Sequence, residues 1–336
     1  MSSPSLHPRD VLFGASPPPP GLPVCDHYAG EPARMRKSLS LQADMAERAL
    51  FDVTLDLEDG AAVGREAEQA RLVGDLVDGP LNRFGRVGVR VHDAAHPRFA
   101  ADVDAVLRAA GPRLAYVMVP KVLGADQARD ALSAIFETAA QAGVPAPRVH
   151  FLIETPAAVH EAHDIAALEG VESLSFGLMD FVSAHDLAIP ASAMSAAGQF
   201  QHPLVLRAKL EIAAACHAHG KTPSHCVVTE YREPSAVQAA AHTAATQLGY
   251  TRMWSIHPDQ IAPILAAFAP PPREVEDATE ILLAARQAQW APISFRHTLH
   301  DRASYRYHWR LLERAWSTGQ TLPAQARSAF FEDSCV

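Results

Sequence analysis

Eight short apolar runs, each separated from the next by a stretch of helical periodicity, leave this chain few folds to adopt. The runs are VCDHY (24–28), DVTLDL (52–57), RVGVRVH (86–92), AYVMVP (115–120), VHFLI (149–153), ESLSF (172–176), HCVVTE (225–230) and RMWSI (252–256). Between them, segments such as FAADVDAVLRAA and ADQARDALSAIFETAAQA carry apolar residues at i, i+3 and i+4. Strand–helix alternation repeated eight times predicts an α/β chain forming a (β/α)8 TIM barrel with a C-terminal helical extension, not an open doubly wound sheet. No G-x-G-x-x-G follows the first strand, which weakens a dinucleotide-binding alternative. Residues 1–23 contain SPPPPGLP and are read as an extended Pro-rich arm, residues 24–292 as the barrel, and residues 293–336 as the extension. An amphipathic tail outside a closed barrel covers that barrel or a neighbouring subunit.

With Lys+Arg 29 against Asp+Glu 38, the chain carries a formal charge of −9, which argues against sequence-independent nucleic-acid binding. No apolar run approaches the roughly 18 residues of a membrane span. The N-terminus MSSPSLHPRDVLFG lacks a basic region followed by an apolar signal core, so a cytoplasmic protein is expected. Cys25, Cys216, Cys226 and Cys335 show no C-x-x-C spacing, in keeping with a reducing compartment. The 17 histidines are scattered, without H-E-x-x-H or paired Cys/His spacing, so a zinc site is not expected.

The carboxyl ends of barrel strands share one face, where catalytic groups are placed. The fifth run delivers Glu154 at its tip, and the sixth is followed by Gly177 and Asp180. Two carboxylates from neighbouring strands make a hard oxygen site suited to Mg²⁺ or Mn²⁺; the plainer alternative is two ordinary loop acids, with Glu154 as a helix cap. The same face receives Asp56, Glu58 and Asp59, Arg90 and His92, Lys121, Glu230, and Ser255 with His257. Converging acids repel unless a cation sits among them, which favours a divalent ion. Arg90 and Lys121 suit a small anionic substrate, and Arg alone among the two can hold a carboxylate bidentately. Lys121 reads equally well as a salt-bridge partner of the LEDG acids. His257, before Pro258, reads as structural, and Trp254 as barrel filling or a pocket wall. The gap SAHDLAIPASAMSAAGQFQH after the sixth run suggests a loop shaping or covering the pocket mouth.

DVTLDLEDG, VRV, VPK, IET, FGLMD and SIHPDQI occur in the order and spacing of the HpcH/HpaI aldolase–citrate lyase family, over about residues 24–300. The chain most resembles the citrate lyase β-subunit-like branch, which includes malyl- and citryl-CoA lyases. The resemblance implies a TIM barrel holding Mg²⁺ (or Mn²⁺) through Glu154 and Asp180, with the substrate-binding Arg on Arg90; Arg90 is read as catalytic as well, and Lys121 and Gly177 as further substrate-binding residues. It implies a carbon–carbon lyase in which the metal stabilises an enolate, acting on a hydroxy acid or its coenzyme A thioester. The pyruvate-aldolase branch carries D-x-E-H at the second strand; here Asp59 follows Glu58, placing the chain nearer the lyase branch and marking Asp59 as a catalytic candidate. PPPPGLPVCDHYAG replaces the F-V-P-G-type opening, and His92 stands where Asn is common. LHDRASYRYHWRLLERA resembles the segment with which relatives complete a neighbouring site, which puts an acid/base on Asp301 and implies a homotrimer or homohexamer. The alternatives are helix capping by Asp301, a pyruvate-type aldolase, and a non-catalytic anion-binding barrel.

Overall fold

The computed structural model describes residues 7–14, 21–58 and 64–331. They fall into two compact units: Leu22–Ala267, and the described residues of 1–21 together with 268–331. In the first unit, strands β1 (Cys25–Ala29), β2 (Asp52–Asp56), β3 (Val87–Arg90), β4 (Leu114–Val119), β5 (Arg148–Ile153), β6 (Val171–Phe176), β7 (Thr222–His225) and β8 (Arg252–Ser255) form a closed barrel in sequence order. Every neighbouring pair is parallel, and β8 closes on β1 through Cys25↔Met253 and Asp26↔Trp254. Parallel neighbours need a crossover, and helices supply it after every strand. Among the described residues no helix is long and apolar enough to cross a membrane.

The helix starts are written in the sequence. Pro32, Pro156, Pro203 and Pro234 each open a crossover helix, where a missing N–H costs nothing and the fixed φ is already helical. Gly143, at φ 69°, ends the helix Ala125–Ala142 by turning its N–H back onto Ala139 and Ala140. Outward strand residues such as Val53, Val89, Val117, Phe151 and Leu174 are fully or almost fully buried beneath those helices.

The lumen is filled by a different chemistry. Arg252, wholly buried, pairs with Asp26 (2.9 Å) and Asp52 (2.6 Å), donates to Pro23 O (2.7 Å) and reaches the Tyr116 hydroxyl (3.2 Å). β4 and β8 are not neighbours, so the Arg252–Tyr116 contact crosses the barrel. Tyr116 also lies 3.0 Å from Asp26 and 2.8 Å from Thr54 Oγ1, and its ring stacks on His150 at 3.8 Å. A Cβ on Gly88 would lie 2.0 Å from the Tyr116 ring; this glycine is the space the phenol occupies. Arg86 grips Asp52 from the other side with two hydrogen bonds of 2.7 and 2.8 Å.

One strand departs from expectation. The seventh run was read as 225–230, whereas β7 is Thr222–His225. Its strand contains Pro223, whose carbonyl still accepts from Thr251 N (3.3 Å), while the apolar Val227 and Val228 lie in the loop beyond. Val228 is buried there, so burial and not pairing explains its hydrophobicity. Glu230 is therefore not a strand-tip residue; it accepts from Ala196 N (2.8 Å) in the long loop after β6.

In the second unit, helices Pro272–Gln287, Arg302–Ser317 and Ala324–Phe330 and a two-stranded hairpin (Ile293–Phe295 with Thr298–His300) share a core built on Leu282, Tyr305, Trp309, Leu312 and Phe330. Helix Pro272–Gln287, placed in the barrel by the 24–292 reading, belongs to this core. The arm at 1–23 also differs from its extended reading. Pro8–Phe13 is a helix capped by His7, with Leu12 in the same core and Arg9 paired to Glu313 (3.3 Å). The proline run at 17–20 lies outside the described residues. Asp301 caps Arg302–Ser317, accepting from Ala303 N (2.9 Å) and Ser304 N (3.3 Å) while Ser304 Oγ accepts from Asp301 N (3.0 Å). Such a cap contributes about 1 kcal/mol.

The lumen network predicts a stability effect. Arg252→Met leaves Asp26 and Asp52 without their shared cation and is expected to cost about 3–5 kcal/mol, read as a lowered urea midpoint at neutral pH. Burial pushes the Asp52 carboxyl up, but Arg86 and Arg252 outweigh it and hold it below the usual carboxylate range. A depressed carboxylate contributes stability above its unfolded value of about 4 and loses it as pH falls through the folded value. Wild type should therefore lose this contribution below about pH 4. An Arg252→Met midpoint equal to wild type at neutral pH would show the network to be neutral.

Candidate active site

At the carboxyl end of the barrel the chain releases β5 into Glu154. The next residue, Thr155, caps helix Pro156–His160 through Oγ1, which accepts from Ala158 N (3.1 Å). Capping thus falls to Thr155, and Glu154 is left to the pocket. Glu154 is 2% exposed, and its Oε1 accepts from Lys121 N at 2.6 Å. Lys121 makes this bond with φ 54°, a left-handed conformation that costs a non-glycine residue on the order of 1 kcal/mol or more. Gly177, after β6, bonds its N–H to Ile153 O (3.0 Å), and a Cβ there would lie 2.3 Å from Glu154 Oε2. The glycine keeps a space that the carboxylate occupies. Three residues on, Asp180 sits exposed in the first turn of the short helix Leu178–Ser183.

Burial and then the nearby Asp180 charge raise the Glu154 carboxyl to about 8, against a smaller opposing pull from the Lys121 N–H. Two acids placed so that one is driven toward neutrality make a site short of positive charge. Among the described residues no cluster of three or more His, Cys, Asp or Glu surrounds a common point. The protein's offer is two carboxylate donors, and it fits Mg²⁺ or Mn²⁺, which keep waters and substrate oxygens as their other ligands. It does not fit zinc, which takes three or four protein donors, commonly His or Cys.

Arg90, from the end of β3, lines the same cavity and is held by an acid lattice. Its Nε and Nη2 donate to Asp56 (2.7 and 3.0 Å), and Nη1 pairs with Glu58 (2.8 Å). Lys121 Nζ holds the other oxygen of Glu58 at 2.5 Å. Lys121 thus does what its salt-bridge reading proposed, and adds a backbone role toward Glu154 that no sequence pattern announces. Tyr28 completes the lattice: its hydroxyl donates to Asp56 Oδ2 at 2.7 Å. Burial raises the Asp56 carboxyl, but the Arg90 charge and hydrogen bonds prevail and keep it ionised. Arg90 is pushed above its ordinary range by the same acids, against its burial.

The cavity between these groups measures about 180 Å³ and is walled by Tyr28, Leu152, Phe176, Cys226 and Trp254. Trp254 is thus a pocket wall. Tyr28, Ser175 and Cys226 were not singled out as site residues by sequence reasoning; Tyr28 and Ser175 stand on β1 and β6, and Cys226 follows the end of β7. The loop after β6 supports one wall, since Gln199 Oε1 accepts from Cys226 Sγ (3.1 Å) and Lys209 Nζ (2.7 Å). His257 is structural, capping the turn Pro258–Gln260 in a capping box with Gln260. His92, near the end of β3, is engaged by the buried Asp102 at 2.5 Å. Of the sequence candidates, the barrel brings together Arg90, Lys121, Glu154, Gly177 and Asp180. Asp59 lies outside the described residues, and Asp301 belongs to the second unit.

Residues 37–258 match the model of the family described as HpcH/HpaI aldolase/citrate lyase. An L-malyl-CoA/beta-methylmalyl-CoA lyase of Cereibacter sphaeroides is 30% identical over 301 residues, covering 83% of this chain and 89% of the relative. A citrate lyase subunit beta-like protein of Mycobacterium tuberculosis is 28% identical over 240 residues, covering 71% of this chain and 78% of its own. The crystal structure of a citrate lyase from Burkholderia xenovorans superposes with a TM-score of 0.80 at 53% identity, covering 97% of this chain and 99% of the other. Protein CitE of M. tuberculosis, in complex with magnesium, acetoacetate and coenzyme A, shares the fold with a TM-score of 0.66 at 21% identity, covering 89% of this chain and 100% of its own. A closed eight-stranded barrel, an acid pair beside a clamped arginine, and these likenesses converge: the chain belongs to the HpcH/HpaI aldolase/citrate lyase family and is a carbon–carbon lyase.

Proposed function

We propose that this lyase is Mg²⁺-dependent and acts on a small hydroxy acid or its coenzyme A thioester by retro-aldol or Claisen-type chemistry. The observation that carries the reading is the Glu154–Asp180 pair, with its displaced Glu154 carboxyl, in one cavity with Arg90. A divalent cation held by the two acids would supply positive charge where an enolate oxygen develops, a contribution of several kcal/mol.

The chain's own residues do the rest. Arg90 orients the carboxylate end of the substrate. Asp56 and Glu58 fix its guanidinium before substrate arrives, so little ordering is left to be done on binding. Leu152, Phe176 and Trp254 exclude water, which strengthens every charge interaction inside. Cleavage removes the substrate hydroxyl proton, breaks the adjacent C–C bond and returns a proton to the enolate carbon, so two proton transfers are required. Asp59 and Asp301 are proposed for them. At about 180 Å³ the cavity is below the roughly 300–1,000 Å³ of sites for drug-sized ligands, so it accommodates the acid fragment while the bulk of a coenzyme A would lie outside. The thioester is proposed because the malyl-CoA lyase relative resembles this chain over 83% of its length.

Four experiments test this reading. Glu154→Gln or Asp180→Asn should abolish calorimetric binding of Mg²⁺ or Mn²⁺ while the circular dichroism stays that of wild type; unchanged affinity in either variant would sink the metal assignment. Arg90→Lys keeps the charge but loses the planar fork, and kcat/KM should fall by an amount equivalent to about 2–5 kcal/mol. A near wild-type value would make Arg90 purely structural. Asp301→Asn keeps a good cap and removes the carboxylate, so its loss of activity reports chemistry and not folding. Mixing inactive Asp301→Asn and Glu154→Gln subunits should restore part of the activity if Asp301 serves a neighbouring barrel in a trimer or hexamer. Verified subunit exchange without recovery would confine each site to one chain.

A further inference from the structure

Tyr28 is held from three sides. Its hydroxyl donates to the buried Asp56 (2.7 Å), the Arg90 guanidinium carbon sits 5.2 Å from its ring centroid, and its ring stacks near-parallel on Trp254 at 6.1 Å and 19°. The partners come from β2 and β8, the two neighbours of β1, and from β3, so the phenol is braced on both sides. Asp56 cannot release the hydroxyl cheaply, because the same carboxylate carries both hydrogen bonds to Arg90 and accepts from Glu58 N (3.1 Å). Trp254 is 8% exposed and packs with Tyr116, Met118 and Leu152, so the ring behind Tyr28 is itself fixed. Both rings wall the cavity of about 180 Å³ that holds Arg90, Glu154 and Asp180.

From this bracing we propose that Tyr28, backed by Trp254, sets the size limit of the acid the lyase accepts. The proposal rests on the function proposed above and deepens it, assigning the limit on the acid's bulk to one side chain. A wall that can swing aside excludes nothing. A ring pinned by a charge-assisted hydrogen bond, a cation on its face and a stacked indole turns extra side-chain bulk into a clash. Arg90 fixes the carboxylate, and the Tyr28 ring lies 5.2 Å from its guanidinium carbon, so branching close to the carboxylate meets the ring and cannot be relieved by sliding the ligand.

The test is calorimetric titration of the full chain with glyoxylate, pyruvate and 3-methyl-2-oxobutanoate in the presence of Mn²⁺. Wild type should prefer pyruvate over the branched acid by about tenfold or more, the scale on which a pocket discriminates added methyl groups. Tyr28→Ala should bring that ratio close to one, and Tyr28→Leu, which keeps some bulk should the alanine variant fold poorly, should fall between. Tyr28→Phe loses the hydrogen bond to Asp56 but keeps the ring between Arg90 and Trp254, and should retain most of the preference, whatever it does to affinity. An unselective wild type, or a ratio unmoved in both Tyr28→Ala and Tyr28→Leu, overturns the proposal while leaving the lyase reading intact. So does a Tyr28→Phe ratio as relaxed as that of Tyr28→Ala, since it would assign discrimination to the hydroxyl. Absence of binding by any of the three acids to wild type would overturn the substrate reading and this proposal together.

Discussion

A closed barrel has an inside, and this chain fills it with charge that must be neutralised without water. Arg252, wholly buried, can exist there only because Asp26 and Asp52 face it at 2.9 and 2.6 Å. A lone ion in that position would cost several kcal/mol after all relaxation. The pairing ties β8 to β1 and β2, and Tyr116 adds β4, so four strands must be in register before the lumen is tolerable. A one-residue slip of any strand would turn its polar set toward the apolar helix layer. Ion pairs of this kind contribute modestly to net stability, yet they penalise wrong arrangements heavily.

Higher in the barrel the same rule is applied and then broken. Arg90 is matched by Asp56 and Glu58, and Glu58 by Lys121. Glu154 and Asp180 are left over: burial, reinforced by the nearby Asp180 charge, pushes the Glu154 carboxyl to about 8. The charges of Arg90 and Lys121 are matched by Asp56 and Glu58, whereas no ion pair to Glu154 or Asp180 is seen among the described residues. The left-handed backbone at Lys121 and the bare Cα of Gly177 belong with that acid pair, since both serve the placement of Glu154.

The second unit obeys simpler physics. Its core is aromatic and aliphatic, and helix Pro8–Phe13 reaches it because His7 and Leu12 fit there: His7 Nε2 donates to Phe330 O (3.1 Å) and its ring meets Trp309 edge-on at 5.1 Å. His7 and Phe330 thus meet in one core although they are 323 positions apart in sequence.

How far the fold and the site could be read from the residues follows from what each depends on. Strand and helix identity depend on local periodicity, so the eight runs, the Pro-initiated helices and the acids at the tips of β5 and after β6 were legible, and the six motifs gave the family. β7 was misplaced because Val227 and Val228 are buried by the loop around them, which periodicity cannot distinguish from a strand. The helix at Pro8–Phe13 was missed because six residues carry too little pattern, and because a proline run beside them reads as extended chain. What the sequence alone determined is the class of the fold and the identity of the groups at the barrel mouth, since both are encoded in residues near one another in the chain. Only the tertiary structure decided that Asp56 and Tyr28 hold Arg90, that Lys121 serves Glu58 and Glu154, and that Trp254 backs Tyr28. Those partnerships join strands that are far apart in sequence and adjacent only after the barrel closes, and their charges acquire their energies only when closure has removed the water between them.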